Sequence, residues 1–356
     1  MLRLVEQEPL SRHTTLELGG PARWFAEVGD EDDVRGALLH ARLHAAPAFV
    51  LGGGSNVLVD DDGFEGVVIS TIGLSGLRFE PKGHGRTRLI ARAGEPFDTC
   101  VARAVELGLS GIESLSGIPG SVGATPIQNV GAYGQEVSET IVEVRALERS
   151  TGRGVTLSSA DCEFAYRDSA LKRDPGRFVV VEVTFELTDS PPRIKYAELE
   201  RALGDGVADA AAVRKAVVAI RRSKSMVIET EDENRRSVGS FFLNPVVDEA
   251  RARTIVEALV RDGVVARPDE VPVYSAGGGM RKLSAAWLIE RAGFGRGYGD
   301  GGVGISTRHT LALVNRGRGT TKELLALAEL IRRGVESSFG VSLSLEPVRL
   351  GAQASP

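Results

Sequence analysis

Three polar side chains stand in this sequence where chemistry could be done. Arg167 lies in FAYRDS (Phe164 to Ser169), Ser240 in GSFFLNP (Gly239 to Pro245) and Glu346 in the apolar closing run LSLEPV. A guanidinium offers a planar fork that grips a carboxylate through two hydrogen bonds. A hydroxyl set between a glycine and two phenylalanines can deliver a proton where water is kept away. A glutamate in an apolar strand is seldom buried without a partner. Each residue also has a plainer reading. Arg167 can pair with Asp168 on the surface, Ser240 can cap a turn or helix, and Glu346 can face solvent.

Two glycine-rich stretches suggest a cofactor beside these groups. Gly52, Gly53, Gly54, Ser55 and Asn56 lie between apolar runs. Glycines there let several N–H groups turn toward one point and remove side chains that would block a phosphate. A tight turn between strands explains them equally well. The second stretch, LSGIPGSVGATPIQNVGAYG (Leu115 to Gly134), reads as a loop of twenty residues without regular structure. Loops of that length inside a compact domain are usually functional. Its apolar members Ile118, Val122, Ile127 and Val130, beside free N–H groups, suit a flat heteroaromatic ring joined to a pyrophosphate. Lys224, after Arg221 and Arg222, could hold phosphate, although a helix C-terminus favours cations in any case. There is no GxGxxG at a strand-to-helix turn, and no GxxxxGK[ST], HExxH or GxSxG, which disfavours an ordinary dinucleotide dehydrogenase, a P-loop enzyme and an α/β-hydrolase.

The elements that must position these residues can be read from patterning. Strands are expected at Ala22 to Val28, Ala48 to Leu51, Val57 to Val59 and Gly66 to Ile69, with a helix from an Asp30 cap through Ala45. This is a small βαβ-type unit. From about Ile72 the texture changes: a strand at Thr87 to Ala91, a helix at Glu95 to Leu107 stopped by Gly108, and strands at Ile141 to Leu147 and Phe178 to Leu187. Beyond Pro191 and Pro192, helices are expected at Ala210 to Ser223, Asp248 to Arg261, Leu283 to Arg291 and Lys322 to Phe339, then a strand at Val341 to Leu350. The 356 residues suffice for two or three domains. A net charge of -5 gives no general attraction to nucleic acid or an anionic membrane. Cys100 and Cys162 are the only cysteines, with no CxxC or metal-type spacing, so neither a disulfide scaffold nor a metal site is expected. No signal-peptide h-region and no run of about 18 apolar residues is present, which points to the cytoplasm.

Taken singly these signals are weak; their order and wording are not. LGGGSN, IPGSVGATPIQNVGAYG, YRDS, GSFFLNP and a closing LEP together resemble the UDP-N-acetylenolpyruvoylglucosamine reductase family, from HTTLELGGPA to Glu346. The resemblance implies an α+β chain: an FAD-binding fold of the vanillyl-alcohol oxidase type, built of two α/β subdomains (1–70 and 71–207), then an α/β substrate-binding domain (208–356) whose last strand can return to the flavin site. It implies FAD and NADPH as cofactors. The substrate would be a UDP-linked enolpyruvyl amino sugar, reduced on the way to peptidoglycan, and a monomer is expected. Arg167, Ser240 and Glu346 would be catalytic. FAD would be held by Gly52 to Asn56 and by Gly117, Ile118, Pro119, Gly120, Ser121, Gly123, Gln128, Asn129, Gly131, Ala132 and Tyr133. Tyr166, Tyr196 (in IKYAEL), Lys224, Asn244 and His309 would face the substrate. The wording departs from the commonest family pattern in four places. The end reads LSLEPVRL, Ala124 and Thr125 replace a smaller pair, Leu243 precedes the Asn, and Tyr298 to Ser306 is short. Two rival readings are an FAD oxidase of a small alcohol or lactone on the same fold, which has no need of the Ser and Arg set, and a non-catalytic UDP-sugar-binding flavoprotein.

Overall fold

Apolar runs too short for helices form the first layer. The computed structural model describes residues 2–204, 206 and 208–351. Strands β1 (Arg3–Pro9), β2 (Pro21–Glu27), β3 (Ala48–Leu51) and, after β4 (Val57–Val59), β5 (Phe64–Ser70) give a sheet in the order β1-β2-β5-β3. The β2–β5 and β3–β5 pairs are parallel, and β1 closes the edge antiparallel. Helix α1 (Glu31–Leu43) supplies the crossover. The Asp30 carboxylate accepts the Asp33 N–H at 2.8 Å, and Val34, Ala37, Leu38 and Ala41 bury one stripe.

The second layer is an antiparallel sheet in the order β11-β10-β12-β7-β6. Its strands are β6 (Leu77–Gly83), β7 (Arg86–Arg92), β10 (Ile141–Glu148), β11 (Gly154–Ser158) and β12 (Phe178–Thr188). Short strands β8 (Gly131–Ala132) and β9 (Gln135–Glu136) form a separate hairpin. The near-continuous apolar run of β12 has a plain cause: its two faces serve two cores. Val180, Val183 and Phe185 pack with helix α2 (Phe97–Glu106), whereas Val179 and Val181 pack with Trp24, Val34 and Ile69 of the first layer.

The third layer follows helix α6 (Ala210–Ser223), which comes after α3 (Thr125–Gln128), α4 (Ala170–Arg173) and α5 (Ala197–Leu203). It contains β13 (Val246–Asp248), α7 (Glu249–Arg261), β14 (Val273–Gly277), β15 (Met280–Leu283), α8 (Ala285–Arg291), β16 (Val303–Ile305), β17 (Leu313–Asn315) and α9 (Thr321–Phe339). Leu324, Ala328, Ile331 and Val335 of α9 bury a helical stripe against Phe241 and Phe242. Strand β18 (Val348–Leu350) then runs back to pair in parallel with β4, matching Val348 to Val57. The end of the chain is thus fixed beside the exit of the first glycine loop.

Two expectations need correction. The stretch from Leu115 to Gly134 is not structureless. It holds a 3-10 turn at Val122–Ala124, helix α3 and strand β8, because Val122, Thr125 and Pro126 are buried and Gly123 N–H donates to Ala93 O at 2.8 Å. The closing strand is also shorter than its alternation suggests. Only Val348–Leu350 is regular, so Glu346 lies just ahead of it.

Candidate active site

A tight turn brings Arg167 to the site. Ala165 and Asp168 exchange main-chain hydrogen bonds of 3.0 and 3.1 Å, leaving Tyr166 and Arg167 as the turn residues. Arg167 takes a φ of +54°, a left-handed conformation costing a non-glycine residue about 1–2 kcal/mol. Its guanidinium is braced by carbonyls: Nη2 donates to Gly131 O at 2.6 Å and Nη1 to Asn129 O at 3.4 Å. Its Nε stands 3.2 Å from Glu346 Oε1. Asp168 pairs with Arg173 instead, so the surface pair Arg167–Asp168 is not formed.

Glu346 is placed by main-chain bonds to the GSFF segment. Its N–H donates to Phe241 O at 3.0 Å, and Leu243 N–H donates to Ser344 O at 2.9 Å. These ties set the main chain that follows Ser240, at Phe241, beside Glu346. Phe241 and Phe242 are fully buried beneath it. Ser240 caps no neighbouring helix, since α7 is capped by Asp248 and α8 by Ser284. Burial pushes the Glu346 carboxyl above its ordinary range, while Arg167 and Lys172 pull against that. A carboxyl so placed keeps a proton to higher pH than a solvated one.

A second cluster collects Tyr133, Tyr196, Lys224 and His309. The rings of Tyr133 and Tyr196 meet edge to face at 5.5 Å. Lys224, at the C-terminus of α6, has its Nζ 6.0 Å from the Tyr133 ring and 2.7 Å from Glu198 Oε2. Burial, then the Lys224 charge, pushes the His309 imidazole down to about 4, so it is neutral at pH 7. Burial pushes the Tyr133 phenol up to about 12. Arg221, one turn before Lys224, donates to Met226 O at 2.6 Å, and its Nε is buried without a partner among the described residues. Lys224, Arg221 and Arg296 all act on His309. Such a set can receive an anion such as a diphosphate. Tyr133, assigned from sequence to the cofactor, therefore shares its surroundings with Tyr196, Lys224 and His309, which the sequence assigns to the substrate. Tyr166 and Asn244 lie near the arginine: Lys282 Nζ sits 4.7 Å over the Tyr166 ring, and Asn244 Oδ1 accepts the Ala285 N–H at 2.9 Å.

The two glycine stretches face each other. A Cβ on Gly53 would lie 2.9 Å from Gly120 Cα, and one on Gly52 would strike Ser121 Oγ. Ser55 Oγ donates to Pro119 O at 3.2 Å. Gly117 N–H is held by Asp98 at 2.6 Å, and Asp98 is gripped by Arg214 of α6. Ile118 and Gly123 pack against the second core and Ala93. Ser121 Oγ is buried with no partner among the described residues, although buried hydroxyls are rarely left so. A cleft of about 290 Å³ opens at Gly52 and Gly53, lined also by Arg12, His13, Thr14 and Thr15. Asn129 braces the loop from inside, because its side chain is taken up by Glu136, the Ala165 carbonyl and the Ser138 N–H. Gln128 is engaged by Lys172, and Ala132 pairs with Gln135 in the β8–β9 hairpin.

A model described as UDP-N-acetylenolpyruvoylglucosamine reductase, C-terminal domain, matches residues 231–350, and one described as FAD binding domain matches residues 22–158. The reductase of that name from Thermobifida fusca is 50% identical over 350 residues, covering 96% of this chain and 97% of the relative. The chain belongs to the UDP-N-acetylenolpyruvoylglucosamine reductase family. The family member from Mycobacterium tuberculosis (strain H37Rv) is 42% identical, covering 98% and 95%. The crystal structure of the reductase from Thermus caldophilus superposes with a TM-score of 0.65 at 25% identity, over 99% of both chains. The fold is the FAD-binding type of vanillyl-alcohol oxidase followed by a substrate-binding domain. The family motifs account for Arg167, Ser240 and Glu346, but sequence reasoning leaves Lys172 and Lys282 unnamed. The signal for Lys172 is its place in YRDSALK, where a helix capped by Ser169 turns it back toward Arg167.

Proposed function

We propose that the chain reduces UDP-N-acetylglucosamine enolpyruvate to UDP-N-acetylmuramate with NADPH and FAD, and that Arg167, Ser240 and Glu346 do the protein's share of the chemistry. The observation that carries this reading is the corner in which Arg167 Nε meets the half-buried Glu346 carboxyl at 3.2 Å, with Glu346 N–H tied to the carbonyl of Phe241, the residue after Ser240. FAD fits beside the paired glycine loops, because a cleft of about 290 Å³ opens at Gly52 and Gly53 and Ser121 offers a buried hydroxyl with no partner among the described residues. Gly52 to Asn56 and Gly117 to Gly123 would hold its phosphates, with Gln128, Gly131 and Ala132 closing the ring side. When bound, FAD reduced by NADPH would supply a hydride to the terminal carbon of the enolpyruvyl group.

Each residue then has its own role. Negative charge grows on the neighbouring carbon and its carboxylate. The Arg167 guanidinium, already aimed by two carbonyls, stabilises that charge without rearranging. Glu346 faces a substrate carboxylate, and two carboxylates cannot both ionise cheaply at close range. Its raised affinity for a proton lets it donate a hydrogen bond there. The Ser240 hydroxyl gives a proton to the carbon, and buried Phe241 and Phe242 keep bulk water away. Lys224, with Arg221, would take the diphosphate. Tyr196 would close over it against Tyr133, with Tyr166, Asn244 and His309 lining the sugar side.

The proposal includes the domain limits 1–70, 71–207 and 208–356, a monomeric chain and a cytoplasmic setting. Among the described residues no helix is long and apolar enough to cross a membrane. The test is the absorbance of the purified protein. It should carry releasable FAD, bleach on NADPH and recover its colour on adding the enolpyruvyl sugar. A protein that takes up no FAD, or that bleaches but does not recover with the sugar, would end this reading.

A further inference from the structure

Lys172 stands behind the catalytic corner. Arg167 meets Glu346 from a left-handed backbone, and such a conformation persists only where the surroundings hold it. The Lys172 ammonium donates to the Arg167 carbonyl at 2.7 Å and to Gln128 Oε1 at 3.0 Å. Ser169 fixes the lysine's stem: its Oγ accepts the Lys172 N–H at 3.1 Å and donates to Ile127 O at 2.8 Å. Arg167 is therefore held at both ends by one stretch of chain, residues 127–131. Its main chain is tied there through Lys172 and Ser169, its head through the carbonyls of Asn129 and Gly131.

We propose that Lys172 is a positioning residue for the reduction: it clamps the Arg167 main chain to Gln128 and presents a fixed positive charge to Glu346. This rests on the roles given above to Arg167 and Glu346. The charged and titratable groups facing Glu346 are Arg167, Lys172 and the Tyr166 phenol. Asp168 faces Lys172 as well, while Lys282 and Glu136 lie beyond Arg167. Burial works against the Lys172 charge, and Glu346 and Asp168 sustain it. In return Lys172 limits how far burial raises the Glu346 carboxyl.

The sign of the consequence is definite. Glu346 acts protonated, so turnover falls as pH rises through its pKa. Removing the Lys172 charge leaves burial less opposed, and that basic limb moves to higher pH. The test uses FAD-loaded Lys172→Met, Lys172→Gln and Lys172→Arg. Turnover is measured against pH, and the Glu346 carboxyl is titrated by infrared difference spectroscopy with Glu346→Gln as the blank. Lys172→Met should lose about tenfold or more in kcat, with KM moving less. Its basic limb and carboxyl midpoint should rise by roughly one pH unit, the effect of a unit charge at short range near a protein surface. Lys172→Gln keeps a donor but no charge, so it should show the same rise with more of kcat retained. Lys172→Arg should restore the midpoint. An unshifted carboxyl midpoint in Lys172→Gln overturns the proposal, whatever its kcat, and that reading holds even where the Met variant does not fold. Wild-type turnover in Glu346→Ala, which keeps no donor, would instead sink the role of Glu346, a separate outcome.

Discussion

The corner around Arg167 and the cluster around Lys224 are both polar, yet they are built differently. The corner is cross-tied by main chain. Carbonyls of Asn129 and Gly131 hold the guanidinium, Phe241 O holds Glu346, and two buried phenylalanines support Ser240. The cluster is held by side chains. Lys224 leans on Glu198, and Tyr196, 38% exposed, touches Tyr133 edge-on. Main-chain ties fix a group before substrate arrives, as charge developing in a transition state requires. Side-chain ties exchange readily for a ligand, as binding and release require. The corner should therefore govern kcat, and the cluster KM.

Ser240→Ala breaks the corner and should have the largest effect. An aligned general acid contributes about 10²–10⁴-fold, so reoxidation of the reduced enzyme by the sugar should slow by that factor. Ser240→Cys should recover part of it, since a thiol also donates a proton. Reoxidation at the wild-type rate, with product of unchanged stereochemistry, would make Ser240 a packing residue.

Lys224→Ala tests the other side. Loss of one charge-assisted contact to a diphosphate should raise KM for the sugar about tenfold or more, with kcat changing less. A drop confined to kcat would merge the two regions into one.

His309 gives the smallest signal. Its imidazole should stay neutral through pH 5–8 and titrate near the value of about 4 that burial and Lys224 impose. Because its folded pKa is depressed, this group's contribution to stability is full above about 6.5 and is lost as pH falls toward the folded value. A proton NMR titration with a midpoint near 6.5 would show the cluster to be open to water.

Much of this contrast is legible in the residues. Regular spacing marks α1, α6, α7 and α9 nearly to their ends, since each buries a stripe and starts at a side-chain cap or a capping box. Strands β1 and β6 escape such a reading because charged residues break their alternation, and β11 (GVTLS) because only Val155 and Leu157 mark it; each lies at the edge of its sheet. Patterning makes the closing strand too long. The alternation of Leu343, Ser344 and Leu345 reflects two main-chain ties to Phe241 and Leu243 rather than a ladder. Arg167, Ser240 and Glu346 can be singled out by residue type but grouped only through motif wording, because nothing local says that position 167 meets position 346. Lys172 stays hidden because its role depends on a left-handed backbone, which no pattern of residue types announces.

The most direct measurement is rapid mixing of Arg167→Ala in two halves. Losing a fixed charge donor costs about 10²–10³-fold where charge develops. Reoxidation of the reduced variant by the enolpyruvyl sugar should slow by that amount, while its reduction by NADPH proceeds at nearly the wild-type rate. A variant slowed only in the NADPH half would contradict the account, because the charge that Arg167 is built to meet exists only in the half that consumes the sugar.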